Sequence, residues 1–244
     1  MNRLSEIKKQ IQKQANPAKA RILQRFFKTG KGEYGEGDMF LGLTVPKQRM
    51  IANKFADLPL KDIEKLLKSK IHEHRLIALL ILVEKYSNSD HSDAIRGFGS
   101  HKQIYDFYLA NSKCINNWDL VDLSAEKIIG RFLYDTKTHR KVVYHLAKSK
   151  NLWERRIAIL STFYFIKNNQ FTDTLKIAEK LLSDKNDLIH KAVGWMLREI
   201  GKRNVKVLEK FLESNYKKMP RTALRYAIER LPEKVRKGYL LGEV

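Results

Sequence analysis

Apolar side chains recur at positions i, i+3, i+4 and i+7 along nearly the whole of this chain, the period of an α-helix with one buried face. The pattern runs through LSEIKKQIQKQ, AKARILQRFFK, PKQRMIANKFAD, KDIEKLLKS and IHEHRLIALLILVEKY. It resumes in IYDFYLANS, WDLVDLSAEKIIGRFLY, HRKVVYHLAKS, LWERRIAILSTFYFIK, DTLKIAEKLLS, DLIHKAVGWMLREIGK, VKVLEKFLESN and PRTALRYAIERL. Breakers such as NSDHSD, SKN, NNQ and SDKND divide these segments at intervals that suit pairs of helices. Only 12 glycines and 5 prolines occur among 244 residues, too few for a turn-rich β protein. The expected fold class is all-α.

Superimposing the periodic segments exposes an internal repeat. EHRLIALLIL (73–82), ERRIAILSTF (154–163) and IHKAVGWMLR (189–198) each put polar or basic residues ahead of a small and apolar run. Arg75, Asp119, Arg155 and His190 occupy comparable first-turn positions, spaced by 44, 36 and 35 residues. That period predicts HEAT-like helical hairpins stacked as an α-α superhelical solenoid with a concave basic groove. First-turn polar residues should then stack along one surface. Each hairpin needs its neighbour to cover its apolar side, so a single domain spanning 1–244 is expected.

The charge balance narrows the partner. Forty-eight Lys and Arg against 27 Asp and Glu give a net charge of +21. Such an excess points to a polyanion, and nucleic acid is the first candidate because neutralised phosphates release condensed counterions. No polybasic run adjoins an apolar anchor, no stretch of roughly 18 apolar residues occurs, and the N-terminal MNRLSEIKKQ lacks the apolar core of a signal peptide. The expectation is a soluble, cytoplasmic, nucleoid-associated monomer with no membrane partner. Cys114 stands alone, so no intramolecular disulfide is possible, and it reads as a small core residue rather than a nucleophile. The seven histidines lack ligand spacing, which predicts no metal.

GKGEYGEG (30–37) formally contains GxGxxG at Gly30, Gly32 and Gly35. The segment before it reads as a helix and no βαβ pattern follows, which argues against a nucleotide loop. Two readings remain: a loop that, with Lys28 and Lys31, approaches a ligand or a DNA backbone, or an inert connector.

The three tryptophans each sit with charged residues: Trp118 with Asp119 and Asp122, Trp153 with Arg155 and Arg156, Trp195 with Arg198. Trp118 and Asp122 are four residues apart and share one helix face, an aromatic plate beside an acid. Spacing alone equally allows Trp118 and Trp195 to be core plates and Asp122 to be a capping or ion-pairing residue. Arg155 and Arg156 lie about 100° apart around a helix, so only one can face a given groove squarely.

WDLVD (118–122), the RR pair at 155–156, GWMLRE (194–199) and GEYGEGDMFLGLTVPKQR (32–49) together resemble the DNA alkylation repair enzymes of the AlkD type, which are HEAT-like-repeat DNA glycosylases. The four motifs occur in order over nearly the whole chain. The resemblance implies aromatic walls at Trp118 and Trp195, a catalytic carboxylate at Asp122, and a backbone-gripping arginine at Arg156, or at Arg155 one residue earlier. It also brings Tyr34 near the lesion; Lys31 in the glycine loop and Arg198 beside Trp195 are further expected DNA contacts. The implied activity is excision of cationic N3- and N7-alkylated purines, 3-methyladenine and 7-methylguanine, from duplex DNA without a tight base pocket and without a cofactor. The rival reading is a non-catalytic HEAT-like scaffold that binds DNA or an acidic protein.

Overall fold

The computed structural model describes residues 2–88, 100–137 and 140–243. All of the breaker NSDHSD after Asn88, and the His139 start of HRKVVYHLAKS, lie outside the described residues. The described chain is helical, with one isolated parallel bridge between Met39 and Ile71 in place of any sheet. It divides into two compact units, Met1–Ser124 and Ala125–Val244.

The first unit contains α1 (Arg3–Lys13), α2 (Pro17–Phe26), α3 (Val45–Lys54), α4 (Leu60–Leu67), α5 (His72–Asn88), α6 (His101–Ala110) and α7 (Trp118–Asp122). Its centre is α5, which is buried around nearly its whole circumference, from His72 to Tyr86, with α3 and α4 packed on it. A helix apolar on all sides can only be a core helix. The second unit begins with a single π-helical turn, Glu126–Gly130. It continues through α8 (Arg131–Asp135), α9 (Lys141–Leu146), α10 (Leu152–Ser161), α11 (Phe163–Lys167), α12 (Thr172–Leu181), α13 (Asp187–Gly201), α14 (Val205–Asn215), α15 (Arg221–Ala227) and α16 (Glu233–Leu241). Here α13 is central and packs most extensively against α15.

Asparagine starts many of these helices. Asn2, Asn16, Asn117, Asn151, Asn186 and Asn204 each accept a backbone N–H of the first turn of α1, α2, α7, α10, α13 and α14. Each such cap is worth about 1 kcal/mol over alanine.

The repeat read from the sequence has a structural counterpart in the turn before each core helix. Arg75 Nη1 donates to the carbonyl of Ser69 at 2.9 Å, and Arg155 Nη1 to that of Ser149 at 3.0 Å. His190 Nε2 donates to the carbonyl of Asp184 at 2.5 Å. Each link spans six residues. In all three turns the side chain at the first position accepts an N–H two residues on: Ile71 to Ser69, Asn151 to Ser149, Asn186 to Asp184. These first-turn polar residues reach back and fasten the turn of their own hairpin. Asp119 does not follow this rule and bonds to His72.

WDLVDLSAEKIIGRFLY, predicted as one helix, is three short ones with the π-helical turn in the middle. That turn ends at Gly130, where a Cβ would lie 2.2 Å from the carbonyl oxygen of Ser161. The backbone approach to α10 therefore requires glycine, and a π-turn is a common way to shift a helix face at such a place.

Candidate nucleic-acid and lesion site

In the first unit the site grows from the N-terminus of α7. Asn117 fixes the start of that helix, and Trp118 follows with its indole half-buried. One face of the indole stacks on Phe27, with centroids 5.1 Å apart and planes 12° apart, and Phe26 meets it nearly edge-on at 6.0 Å. Phe27 stacks in turn on Phe40 at 5.0 Å, and Phe40 on the His72 ring at 4.5 Å. Trp118 Nε1 donates to the hydroxyl of Tyr34 at 3.3 Å. The structure thus brings Trp118 and Tyr34 into contact. Asp122 is half-buried one turn further along α7, and Lys31 is exposed in the 30–37 loop.

Beneath Trp118 lies a buried polar chain. His72 Nε2–H donates to Asp119 Oδ2 at 2.8 Å and Nδ1–H to Asp38 Oδ2 at 3.2 Å. Asp38 also pairs with Arg75 at 2.6 Å and accepts from the Asn117 amide at 3.3 Å. Burial works to lower the His72 pKa, but the hydrogen bonds to Asp119 and Asp38 outweigh it and raise it. Burial likewise works to raise the Asp38 carboxyl, yet His72 and Arg75 hold it below its ordinary value. Both ring nitrogens face carboxylates, which favours the protonated ring. It ties the end of the 30–38 loop to the residue after Trp118.

The same loop is anchored twice more. The buried Glu73 carboxylate accepts the backbone N–H groups of Leu41, Gly42 and Leu43 at 2.7–3.2 Å. Gly42 adopts a φ of +88°, and a Cβ there would meet the Asn16 carbonyl oxygen at 2.2 Å. In the glycine-rich stretch, the amides of Gly30 and Gly32 are occupied by the carboxylates of Glu33 and Glu36, each at 2.8 Å. Amides that a nucleotide phosphate would need are therefore capped by the loop itself, which removes the nucleotide-loop reading.

In the second unit, Trp195 is half-buried on α13, its Nε1 donating to Glu199 at 3.3 Å and its ring 5.9 Å from Phe163. The glycine before it has a packing reason: a Cβ on Gly194 would lie 2.4 Å from the Ala223 carbonyl oxygen on α15. Arg198 pairs with Glu229 and approaches Glu199. Arg155 holds Asp184 through Nε at 2.6 Å in addition to fastening its own turn. Arg156 is 5% exposed, and its guanidinium donates to the carbonyl of Leu188 at the start of α13. Trp153 is a buried core residue, whereas Cys114, read as core, is half-buried at the end of a short 3-10 turn.

Sequence reasoning quoted Asp119 but gave it no partner, and it missed Asp38, His72 and Glu73. The available signal was the cluster of ionisable residues at the start of IHEHRLIALLILVEKY, a helix otherwise too apolar to face water. Among the described residues no group of three His, Cys, Asp or Glu could hold a metal ion, and no helix is long and apolar enough to cross a membrane.

A model of the family described as DNA alkylation repair enzyme matches residues 7–231. The chain is similar to a solved structure described as a predicted DNA alkylation repair enzyme from Enterococcus faecalis: TM-score 0.69, 17% identity, covering 90% of this chain and 98% of that one. It is also similar to the crystal structure of AlkD2 from Streptococcus mutans: TM-score 0.54, 16% identity, covering 86% and 96%. No match was found among curated proteins. These likenesses share the all-α helical-repeat fold, and with the family match over nearly its full length the chain belongs to the DNA alkylation repair enzyme family.

Proposed function

We propose that this protein is a DNA glycosylase of base excision repair that hydrolyses the N-glycosidic bond of cationic N3- and N7-alkylated purines in duplex DNA. The family implies a DNA substrate, and the net charge of +21 supports tight, salt-sensitive engagement of phosphates. The observation that supports the reading most is the arrangement on α7: an indole clamped by Phe27 and Tyr34, with the Asp122 carboxylate one helical turn away.

Alkylation at N3 or N7 places a formal positive charge on the purine and weakens its bond to C1′. As that bond breaks, its electron pair neutralises the departing base, and positive charge moves to the sugar. Asp122 stabilises this oxocarbenium-like sugar and orients a water, whose oxygen bonds C1′ while its proton leaves to the carboxylate or to solvent. Trp118, beside Asp122 on α7, faces the cation and contributes about 0.5–2 kcal/mol, and the family resemblance gives Trp195 the role of a second aromatic wall. Water is the only co-substrate, so no cofactor is required, and the protein acts as a cytoplasmic monomer of one functional domain. In this reading the base is not drawn into an enclosing pocket, so neutral lesions such as uracil are poor substrates.

Repeat logic separates the two arginines. Arg155 occupies the position of Arg75 and His190 and is accounted for by its turn and by Asp184. Arg156 stands where the first unit has Leu76, and its buried guanidinium donates to the carbonyl of Leu188. From the family resemblance we assign Arg156 to the phosphate beside the lesion and place Tyr34 near the lesion; Arg198 and Lys31 serve the surrounding backbone. Incubating the protein with methylated duplex and measuring free 3-methyladenine and 7-methylguanine tests the function. Binding without release would favour the scaffold reading instead.

A further inference from the structure

Helix α2 carries two stripes that the proposed chemistry does not use. Ile22 and Phe26, four residues apart, are 66% and 61% exposed, the largest exposure of any large apolar residues among the described residues of the first unit except Met50. Arg21 and Arg25 form the adjacent stripe, and Lys28 and Lys31 follow within one short loop, all exposed. Among the described residues these four cations make no ion pair and no side-chain hydrogen bond, in a chain where Arg3, Arg75, Arg140, Arg155 and Arg198 are all paired with carboxylates. The nearest loop carboxylates, Glu33 and Glu36, are turned to the amides of Gly30 and Gly32.

Phe26 is also adjacent to the candidate site. Its ring lies 6.0 Å from Trp118 at 73°, and 5.2 Å from Phe27 at 85°. An exposed aliphatic and aromatic stripe bordered by unpaired cations fits a partner that offers apolar stacked faces between rows of anionic groups. Duplex DNA has that character wherever its base stack is weakened. An acidic protein would match the cations but gives no reason for Phe26 to stand beside Trp118.

We propose that Ile22 and Phe26 form an apolar wedge that enters the base stack next to the damaged nucleotide while Arg21 and Arg25 hold the flanking phosphates. This rests on the DNA-repair reading above and adds a contact to it: the wedge opens the stack without drawing the base into a pocket, leaving the lesion against Trp118.

The test uses the full chain and a duplex with a tetrahydrofuran abasic analogue flanked by 2-aminopurine, whose fluorescence rises when it unstacks. Saturating wild-type protein should raise the fluorescence. Phe26→Ala should abolish most of the rise and weaken binding to this duplex by about tenfold, with Phe26→Leu intermediate. Arg25→Gln should leave the rise at saturation intact and lower the slope of log affinity against log salt by about one. Phe26 is exposed, so the variants should fold, which circular dichroism checks. No rise with wild-type protein, or an undiminished rise with Phe26→Ala, would overturn the wedge, as would failure to bind DNA. The glycosylase reading is judged separately by methylpurine release: release without unstacking sinks the wedge alone, and Phe26-dependent unstacking without release sinks the glycosylase alone.

Discussion

The imidazole of His72 donates to Asp119 at 2.8 Å, one residue after the indole proposed to face the damaged nucleotide. Through its other nitrogen the same ring reaches Asp38, the last acid of the GEGD stretch. His72→Leu would leave Asp38 and Asp119 buried with a partner missing, so it should cost about 3 kcal/mol in denaturant unfolding. Adding Asp119→Asn to His72→Leu should recover part of that loss, because the stranded charge is then gone.

Two histidines on α5 titrate in opposite directions, and the sign for each follows from the shift. His72 is raised above 6.5, so its stabilisation is complete below that pH and fades as pH rises through the raised value. His74 is lowered to about 4 by burial and by the charges of Lys8 and Arg75. Its neutral form suits the fold, so stability present above 6.5 is lost as pH falls toward about 4. Unfolding midpoints measured across pH should show His74→Gln flattening the acid limb and His72→Leu flattening the alkaline limb.

Gly42→Ala should be among the costliest conservative changes in the chain. Its φ of +88° disfavours any side chain, and the new methyl would overlap the Asn16 carbonyl oxygen. A loss of about 2 kcal/mol or more is expected by thermal or denaturant melting. The Glu73 anchor of the loop should loosen with it, which amide exchange at Leu41 and Leu43 would report.

Most helices were legible because burial writes a 3.6-residue period into the sequence, and the hairpin spacing was legible because the repeats share it. The break of the WDLVD helix was not, since the π-turn leaves the apolar pattern readable as one amphipathic helix. The break at Thr162 between α10 and α11 was hidden for a related reason. Ser161 and Thr162 hydroxyls bond back to the carbonyls of Ile157 and Ile159 at 2.7 and 2.6 Å, an option that a polar pair in a helical run does not announce. Motif order alone nominated Trp118, Asp122, Arg156 and Trp195. The chain of Asp38, His72 and Asp119 could not be read because its members lie 34 and 47 residues apart and only packing pairs them.

Arg156→Ala should weaken engagement of lesion-containing duplex more than binding to undamaged duplex, whereas Arg155→Ala should chiefly destabilise the turn at Ser149 and the Asp184 pair. Equal loss on both duplexes would reduce Arg156 to a general phosphate contact. For the wild type, raising salt from about 50 to 200 mM should lower affinity by about a thousandfold or more if six or more phosphates are engaged.

The most direct measurement is release of 7-methylguanine from methylated duplex by wild-type protein and by Asp122→Asn under single-turnover conditions. The account predicts release by the wild type and a loss of about a hundredfold or more in the variant, with DNA affinity retained. Release at the wild-type rate from Asp122→Asn would contradict it.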